Sequence, residues 1–250
     1  LNAKVPRFGS GEAKGMILQS VRGVDLYLLV DVCNYSLTYS LCGHENHMSP
    51  DDHYQDLKRV IAAVGGKARR ITVIMPFLYE SRQHKRSSRE SLDCAVALQE
   101  LTAMSVSNIV CFDAHDPRVC NAIPLTGFDN VMPTYQVLKA MFKKVEDLNV
   151  SKDTFMVVSP DEGAINRNMY FSSVLGCNLG MFYKRRDYTR VVNGRNPIVA
   201  HEYLGESVEG KTVFIADDII ASGESMLEVA RELKKRGAKH IIANTTFPLF

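Results

Sequence analysis

No run of apolar residues approaches the roughly 18 that a membrane helix needs, so no segment is expected to cross a bilayer and no membrane partner is expected. Cysteines at metal-binding spacing are missing as well. The six present (Cys33, Cys42, Cys94, Cys111, Cys120, Cys177) form no Cys-x-x-Cys pair, and several lie inside apolar runs. That points away from a zinc site and from a disulfide framework, and toward reduced core thiols in a cytoplasmic protein. Charge of one sign is scarce too, since 30 Lys and Arg against 28 Asp and Glu leave a net +2. Basic residues concentrate only at Arg82 to Arg89 and Lys184 to Arg195. Stretches of that length serve phosphate-bearing small molecules or solvent more often than a duplex, so no nucleic-acid partner is expected. The opening residues (Leu1, Asn2, Ala3, Lys4) lack the apolar centre of a signal segment. The missing initial Met, with a strand-like run at the other end, reads as trimming at both ends.

What the chain does have is alternation. Leu26 to Val32, Ile71 to Met75, Asn108 to Phe112, Phe155 to Ser159, Leu179 to Tyr183, Thr212 to Ala216 and His240 to Thr245 read as strands. They are apolar without much alternation, as strands covered on both faces are. Helices are expected at about Asp52 to Val64, Ser91 to Met104, Tyr135 to Val145, Ala164 to Leu175 and Ser225 to Arg236. Ser49-Pro50-Asp51 and Gly65-Gly66 bracket the first of these as a capping start and a glycine stop, and Gly237 follows the last. Strand and helix in this order predict an α/β fold of mainly parallel sheets flanked by helices. At 250 residues the chain can bury one large core or two modest ones. A division near Asn130 to Pro133 leaves two similar halves, 1–132 and 133–250. Arg82 to Ser88 and Lys184 to Gly210 lack a regular pattern, and the second is too long for a routine connection, which marks it as functional or disordered.

One segment carries chemistry on its face. After the strand Thr212 to Ala216 come Asp217-Asp218, then Ile219-Ile220-Ala221-Ser222-Gly223-Glu224-Ser225. A strand end, a short turn and a helix starting near Ser225 aim backbone N–H groups and a helix N-terminus at one point, which suits a phosphate dianion. Two adjacent carboxylates at a strand end cannot both enter the core, and they suit ribose hydroxyls or a hydrated Mg²⁺. Ser222 and Ser225 add hydroxyl donors, and Gly223 permits close backbone approach. The bland alternative is a capped turn with chance acids, although such a turn needs only one capping residue.

This stretch resembles the phosphoribosyl diphosphate motif shared by phosphoribosyltransferases and phosphoribosyl diphosphate synthetases: two acids, two apolar residues, a variable position, then Thr or Ser and Gly. Other segments resemble the synthetases, also called ribose-phosphate pyrophosphokinases, in the family's order and over nearly the whole chain. Phe8, Ser10 and Glu12 fall at the spacing of the family's adenine-contacting loop, and Ser20-Val21-Arg22-Gly23 is similar to the segment before its second strand. Tyr79-Glu80-Ser81-Arg82-Gln83 with Arg89-Glu90 resembles Tyr-Ala-Arg-Gln and Arg-Glu-Pro, with one residue added before Arg82 and one lost after Gln83. Asp113-Ala114-His115 resembles Asp-Leu-His, and Val158-Ser159-Pro160-Asp161-Glu162-Gly163 resembles Val-Ser-Pro-Asp-Ala-Gly. Lys184-Arg185-Arg186 matches the Lys-x-Arg that opens the mobile catalytic loop.

The resemblance implies two phosphoribosyltransferase-like domains, 1–132 on the ATP side and 133–250 on the ribose 5-phosphate side. It implies transfer of the diphosphoryl group of Mg²⁺·ATP to the C1 hydroxyl of ribose 5-phosphate, giving phosphoribosyl diphosphate and AMP. By the same route Lys184, Arg186 and His115 are expected to be catalytic, and Arg82, Gln83, Phe8 and Glu12 to hold ATP. Asp217, Asp218, Ala221, Ser222, Gly223, Glu224 and Ser225 are expected to hold ribose 5-phosphate, and His115, Asp161 and Asp113 to serve Mg²⁺. A homo-oligomer built from dimers, up to a hexamer, is implied because the family shares its ATP site across a subunit boundary. Ala221 and His84 stand where aspartates are usual, Glu224 replaces a glycine, and Ser91 a proline. These departures leave open a non-catalytic regulatory relative. A phosphoribosyltransferase, which takes a nucleobase rather than ATP, is the third reading.

Overall fold

The computed structural model describes residues 1–186 and 198–250, apart from the side chains of 184–186 and 198–201. The chain forms two compact units, Leu1–Met132 and Pro133–Phe250.

The first unit opens with the short antiparallel pair β1 (Ala3–Lys4) and β2 (Met16–Ile17), then β3 (Asp25–Leu29) and the hairpin β4 (Thr38–Leu41) and β5 (His44–His47). Next come α1 (Pro50–Val64), β6 (Arg70–Ile74), α2 (Asp93–Ala103), β7 (Asn108–Phe112), a 3₁₀ turn at Pro117–Ala122 and β8 (Gly127–Val131). Its main sheet has the order β3-β6-β7-β8, all parallel. Helix α1 starts and stops where local chemistry dictates. The Ser49 side chain accepts from the Asp52 N–H while the Asp52 carboxylate takes the Ser49 N–H, Pro50 fills the first turn, and Gly65 ends the helix at φ 56°. Its buried stripe, Tyr54, Leu57, Ile61 and Val64, repeats every three to four residues.

That stripe and Cys94, Ala97, Leu98 and Leu101 of α2 pack in one core with Leu26, Leu28, Ile71, Val73, Ile109 and Cys111 of the sheet. Each Val, Leu or Ile among them contributes about 1.5–3 kcal/mol by leaving water. The intervening strand residues behave differently: Tyr27, Leu29, Phe112 and Val131 are exposed. Both helices therefore serve one face of this sheet, and the double coverage expected from the sequence does not hold here. The alternation was hidden because the outward positions of β3 are themselves apolar.

In the second unit the expectation is met. It contains α3 (Thr134–Lys144), β9 (Phe155–Ser159), α4 (Ile165–Leu175), β10 (Asn178–Arg186), β11 (Ile198–Leu204), β12 (Thr212–Ile220), α5 (Glu224–Lys235) and β13 (His240–Pro248). The sheet order is β11-β10-β9-β12-β13, parallel except for β11. Every residue of β9 is buried. Phe155, Val157, Phe214 and Ala216 face Met141 of α3 and Phe171 of α4 on one side. Met156, Val158, Val213 and Ile215 face Met226, Val229 and Leu233 of α5 on the other. Strand β11 lies inside the stretch read as irregular, where its register against β10 gives it a partner the sequence does not announce.

This layout fixes where a ligand can sit. From β9 the chain passes through α4 on one face to β10, and from β12 through α5 on the opposite face to β13. The two connections leave in opposite directions, so the carboxyl ends of β9 and β12 flank an open crevice, the usual ligand position in an open α/β sheet.

Candidate functional site

The crevice holds a cavity of about 200 Å³ lined by Pro160 and Asp161 beyond β9 and by Asp217, Ile219 to Gly223, Ser225 and Met226 along β12 and the start of α5. Strand β12 runs four residues further than the sequence suggested, pairing Asp217 with Thr245 and Ile220 with Pro248. The acid pair thus belongs to the strand instead of following it, and alternation sends the two side chains to opposite faces. One of them does enter the interior: Asp218 is 3 % exposed, while Asp217 is only partly covered and borders the cavity. This agrees with the expectation that the two carboxylates cannot both enter the core, and the inward one is accompanied by a cation that sequence reasoning missed. Arg167 of α4, its side chain 9 % exposed, places Nη1 3.9 Å from Oδ1 of both Asp217 and Asp218.

Among the described residues, the acids at this point outnumber that one cation. Burial pushes the Asp217 carboxyl up to about 7, and the hydrogen bond it donates to Asp218 when protonated, the charge of Asp218 and then the charge of Asp161 add to the effect. Asp161 itself is fixed by the turn that opens α4, its Oδ1 accepting from the N–H groups of Gly163 at 3.0 Å and Ala164 at 3.2 Å. The Ser159 hydroxyl donates to the Asp161 carbonyl at 2.8 Å and ties that turn to the end of β9.

The turn between β12 and α5 is short because Gly223 adopts φ 77°, a conformation that strains any residue with a Cβ. Gly223 is also the residue before the helix and supplies no capping side chain, which leaves the first N–H groups of α5 directed at the turn Ala221 to Gly223. The Ser222 hydroxyl oxygen accepts a long hydrogen bond, 3.4 Å, from the Glu224 N–H. Ser222, Gly223 and Ser225 line the cavity together with Ala221, whereas Glu224 begins the helix and is exposed outside it.

A second group of expected residues gathers in the first unit. Asp113 is buried at the end of β7 with φ 44°, a conformation costly for a non-glycine residue, and its N–H donates to Val131. The sharp turn presents His115, whose ring centroid lies 5.2 Å from that of His84. His84 Nε2 is 3.5 Å from Oδ2 of Asp116. Burial and then the neighbouring His115 hold the His84 imidazole below its ordinary pKa, and Arg118 holds Asp116 down at about 2.

Next to these, Arg82 is exposed, while the Gln83 amide donates to the Ser91 carbonyl at 2.8 Å and shapes the loop. Just before Arg82 the chain bends at Glu80, which takes φ 55°. Tyr79 anchors that bend by donating to Asp51 at 2.6 Å and stacking on Tyr54 at 4.3 Å. Phe8 and Glu12 sit on a small loop of this unit closed by the Phe8 N–H to Glu12 carbonyl bond of 2.7 Å, with Phe8 52 % exposed. The side chains of Lys184 and Arg186 lie outside the described residues.

The structure therefore brings Asp161, Asp217, Ala221, Ser222, Gly223 and Ser225 to one cavity of the second unit, and Asp113 and His115 to one strand end of the first. Arg167 and Asn168, both on α4, are the functional neighbours the sequence did not disclose. The one local hint was an asparagine in mid-helix, where its propensity is poor.

A sheet with this switch point, an acid pair on the strand and an anion-directed turn before the next helix define a phosphoribosyltransferase-type α/β protein. A family model described as the phosphoribosyl transferase domain matches residues 130–247, and one described as the N-terminal domain of ribose phosphate pyrophosphokinase matches residues 1–104. The chain belongs to the ribose-phosphate pyrophosphokinase family. The ribose-phosphate pyrophosphokinase of Ralstonia nicotianae is 29% identical to it over 250 residues, covering 99% of this chain and 70% of the relative. That of Thermosipho africanus is 28% identical over 249 residues, covering 99% and 71%. The crystal structure of phosphoribosylpyrophosphate synthetase from Mycobacterium smegmatis shares the fold, with a TM-score of 0.79 at 22% identity over 99% of this chain and 73% of that one. Among the described residues no helix is long and apolar enough to cross a membrane.

Proposed function

We propose that this chain is a ribose-phosphate diphosphokinase that converts ATP and ribose 5-phosphate to phosphoribosyl diphosphate and AMP. The observation that carries the reading is the cavity at the β9–β12 switch point, where an acid pair and an uncapped helix start converge from one strand–turn–helix segment. In this reading the turn Ala221 to Ser225 takes the 5-phosphate on backbone N–H groups and the Ser222 and Ser225 hydroxyls. Asp217 and Asp218 hold the ribose diol, which leaves the anomeric hydroxyl facing Asp161.

A divalent cation fits the donor set. Two carboxylates share the Arg167 guanidinium, and burial with the charges of Asp218 and Asp161 raises the Asp217 carboxyl to about 7. Among the described residues no cluster of three metal-binding side chains is poised around one point. That suits Mg²⁺, which keeps several waters and takes few protein ligands. Asp161 in the second unit, and His115 supported by Asp113 in the first, are each candidates to bind Mg²⁺, directly or through water. When bound it supplies neutralising charge to the diphosphate oxygens.

The protein's own task is alignment and charge. The anomeric oxygen forms a bond to the β-phosphorus of ATP as the bond from that phosphorus to the α–β bridging oxygen breaks and AMP leaves. Arg82 and Gln83 orient the triphosphate, Phe8 and Glu12 contact the adenine end, and Lys184 and Arg186 face the charge that develops at the β-phosphorus. A homo-oligomer based on dimers completes the ATP site.

The test is formation of labelled AMP from labelled ATP on addition of ribose 5-phosphate and Mg²⁺. Absence of AMP at every Mg²⁺ and phosphate concentration, with ribose 5-phosphate still bound, would replace this reading with a regulatory one. Release of pyrophosphate from phosphoribosyl diphosphate on adding a base would replace it with a transferase.

A further inference from the structure

The crevice between β9 and β12 needs something to hold it open. The two parallel strands pair at Thr212 with Phe155, Val213 with Met156 and Phe214 with Val157, and the ladder then stops although both strands continue. Strands that part in this way leave peptide groups facing one another in the interior without partners, and such groups are costly to bury. Asn168 of α4, wholly buried, fills the parting. Its Oδ1 accepts the Ala216 N–H at 3.1 Å, and its Nδ2 donates to the Ala216 carbonyl at 2.8 Å and to the Ala164 carbonyl at 2.9 Å. Ser159 Oγ lies 3.4 Å from the same nitrogen. Both amide hydrogens and one lone pair of the carbonyl oxygen are thereby used, and toward Ala216 the carboxamide does what a neighbouring strand's peptide group would do.

Each partner sits one step from a site residue. Ala216 precedes Asp217. Ala164 gives its N–H to the Asp161 carboxylate, and Ser159 gives its hydroxyl to the Asp161 carbonyl. A single side chain is thereby bonded to both walls of the cavity.

We infer that Asn168 is a positioning residue for ribose 5-phosphate: it wedges β9 from β12 and sets the separation of Asp161 from Asp217. This rests on the proposed function in taking ribose 5-phosphate as the ligand of the crevice. A displacement of either acid by about 1 Å is enough to cost on the order of a hundredfold in a positioned reaction. Alanine or aspartate at this position keeps the helix but removes the donors to Ala216 and Ala164, and the strands close or splay.

The experiment measures ribose 5-phosphate affinity by calorimetry without ATP, the Michaelis constants for both substrates, and urea stability, for the full chain and for Asn168→Ala, Asn168→Asp and Ser159→Ala. Leu233→Ala, in the α5 core away from the crevice, serves as the control for lost stability. The expected result is a loss of about tenfold or more in ribose 5-phosphate affinity for the Asn168 variants. Ser159→Ala is expected to show a smaller loss, the Michaelis constant for ATP to stay nearly unchanged, and Leu233→Ala to lose stability without losing affinity. If the Asn168 variants do not fold, the decision passes to Ser159→Ala, and normal affinity there overturns the role. Folded Asn168 variants that bind normally, or a loss that Leu233→Ala reproduces, overturn it too. Failure of the unaltered chain to bind ribose 5-phosphate at all would instead sink the functional reading beneath it.

Discussion

Replacing Asp217 with asparagine is expected to stabilise the protein above neutral pH while weakening its hold on ribose 5-phosphate. The carboxyl of Asp217 rises from an ordinary 3.8 to about 7 in the folded chain, because burial and the charges of Asp218 and Asp161 oppose its ionisation. A group whose folded value is raised adds stability that is complete below the unfolded value and lost as pH climbs through the folded one. Between pH 3.8 and 7 the unfolded chain sheds this proton and the folded chain does not, so folding weakens by about 1.4 kcal/mol per pH unit. From pH 5 to pH 8 roughly two units of that window are crossed, worth about 3 kcal/mol. Asparagine has no proton to lose, and its amide can still donate to Asp218. The difference in unfolding free energy between Asp217→Asn and the parent, from urea titrations, should therefore grow in the variant's favour by about 2–3 kcal/mol between pH 5 and pH 8. A difference that does not change with pH, or that grows in the parent's favour, would refute the account of a charge-crowded cavity. Weaker binding of ribose 5-phosphate by the stabler variant would complete the pattern, since sites of this kind trade stability for function.

Arg167→Met removes the guanidinium between the two acids and should cost about 3 kcal/mol of stability at pH 8. The cost should be less at pH 5, where Asp217 keeps its proton, and equal losses at both would place Arg167 outside the acid pair's electrostatics. Phe8→Ala should raise the Michaelis constant for ATP, leave that for ribose 5-phosphate alone and change stability by no more than about 0.5 kcal/mol, because the ring is 52 % exposed. A shift in the ribose constant would move Phe8 out of the nucleotide site. Lys184→Ala should lower turnover by about a hundredfold or more with unchanged urea stability, and parallel loss of both would remove it from the catalytic set. Chelation of divalent cations should stop AMP formation and leave the circular dichroism spectrum unchanged, and AMP formation that persists would exclude Mg²⁺ from the reaction.

Local signals were readable where local chemistry decides the outcome. Helix α1 announces itself through Ser49, Pro50, Asp52 and Gly65, and β9 through four apolar residues in a row, Phe155 to Val158. The hairpin β4–β5 was missed because Thr-Tyr-Ser-Leu and His-Glu-Asn-His hold no buried alternation. Strand β8, Gly-Phe-Asp-Asn-Val, was missed because only Phe128 and Asn130 turn partly inward. The β12–α5 turn stood out for the opposite reason: acids, serine and glycine follow one another within nine residues, so one segment carries most of its own chemistry.

The remainder of the crevice is tertiary. Asn168 and Ala216 are 48 residues apart in sequence, and no spacing rule joins them. Yet several positions around the crevice and the β7 strand end break a local preference. Asparagine is a poor choice inside a helix, aspartate is out of place in an interior parallel strand, and Asp113 and Glu80 take backbone angles better suited to glycine. Residues chosen for folding alone would not sit there: alanine would serve α4 better and valine β12. These conflicts gather at two strand ends and their adjoining turns, where the fold leaves room for a ligand, and the strain they store is held by the packed helices behind them. A physical search for function in such a chain therefore begins with the residues that fit their own secondary structure worst.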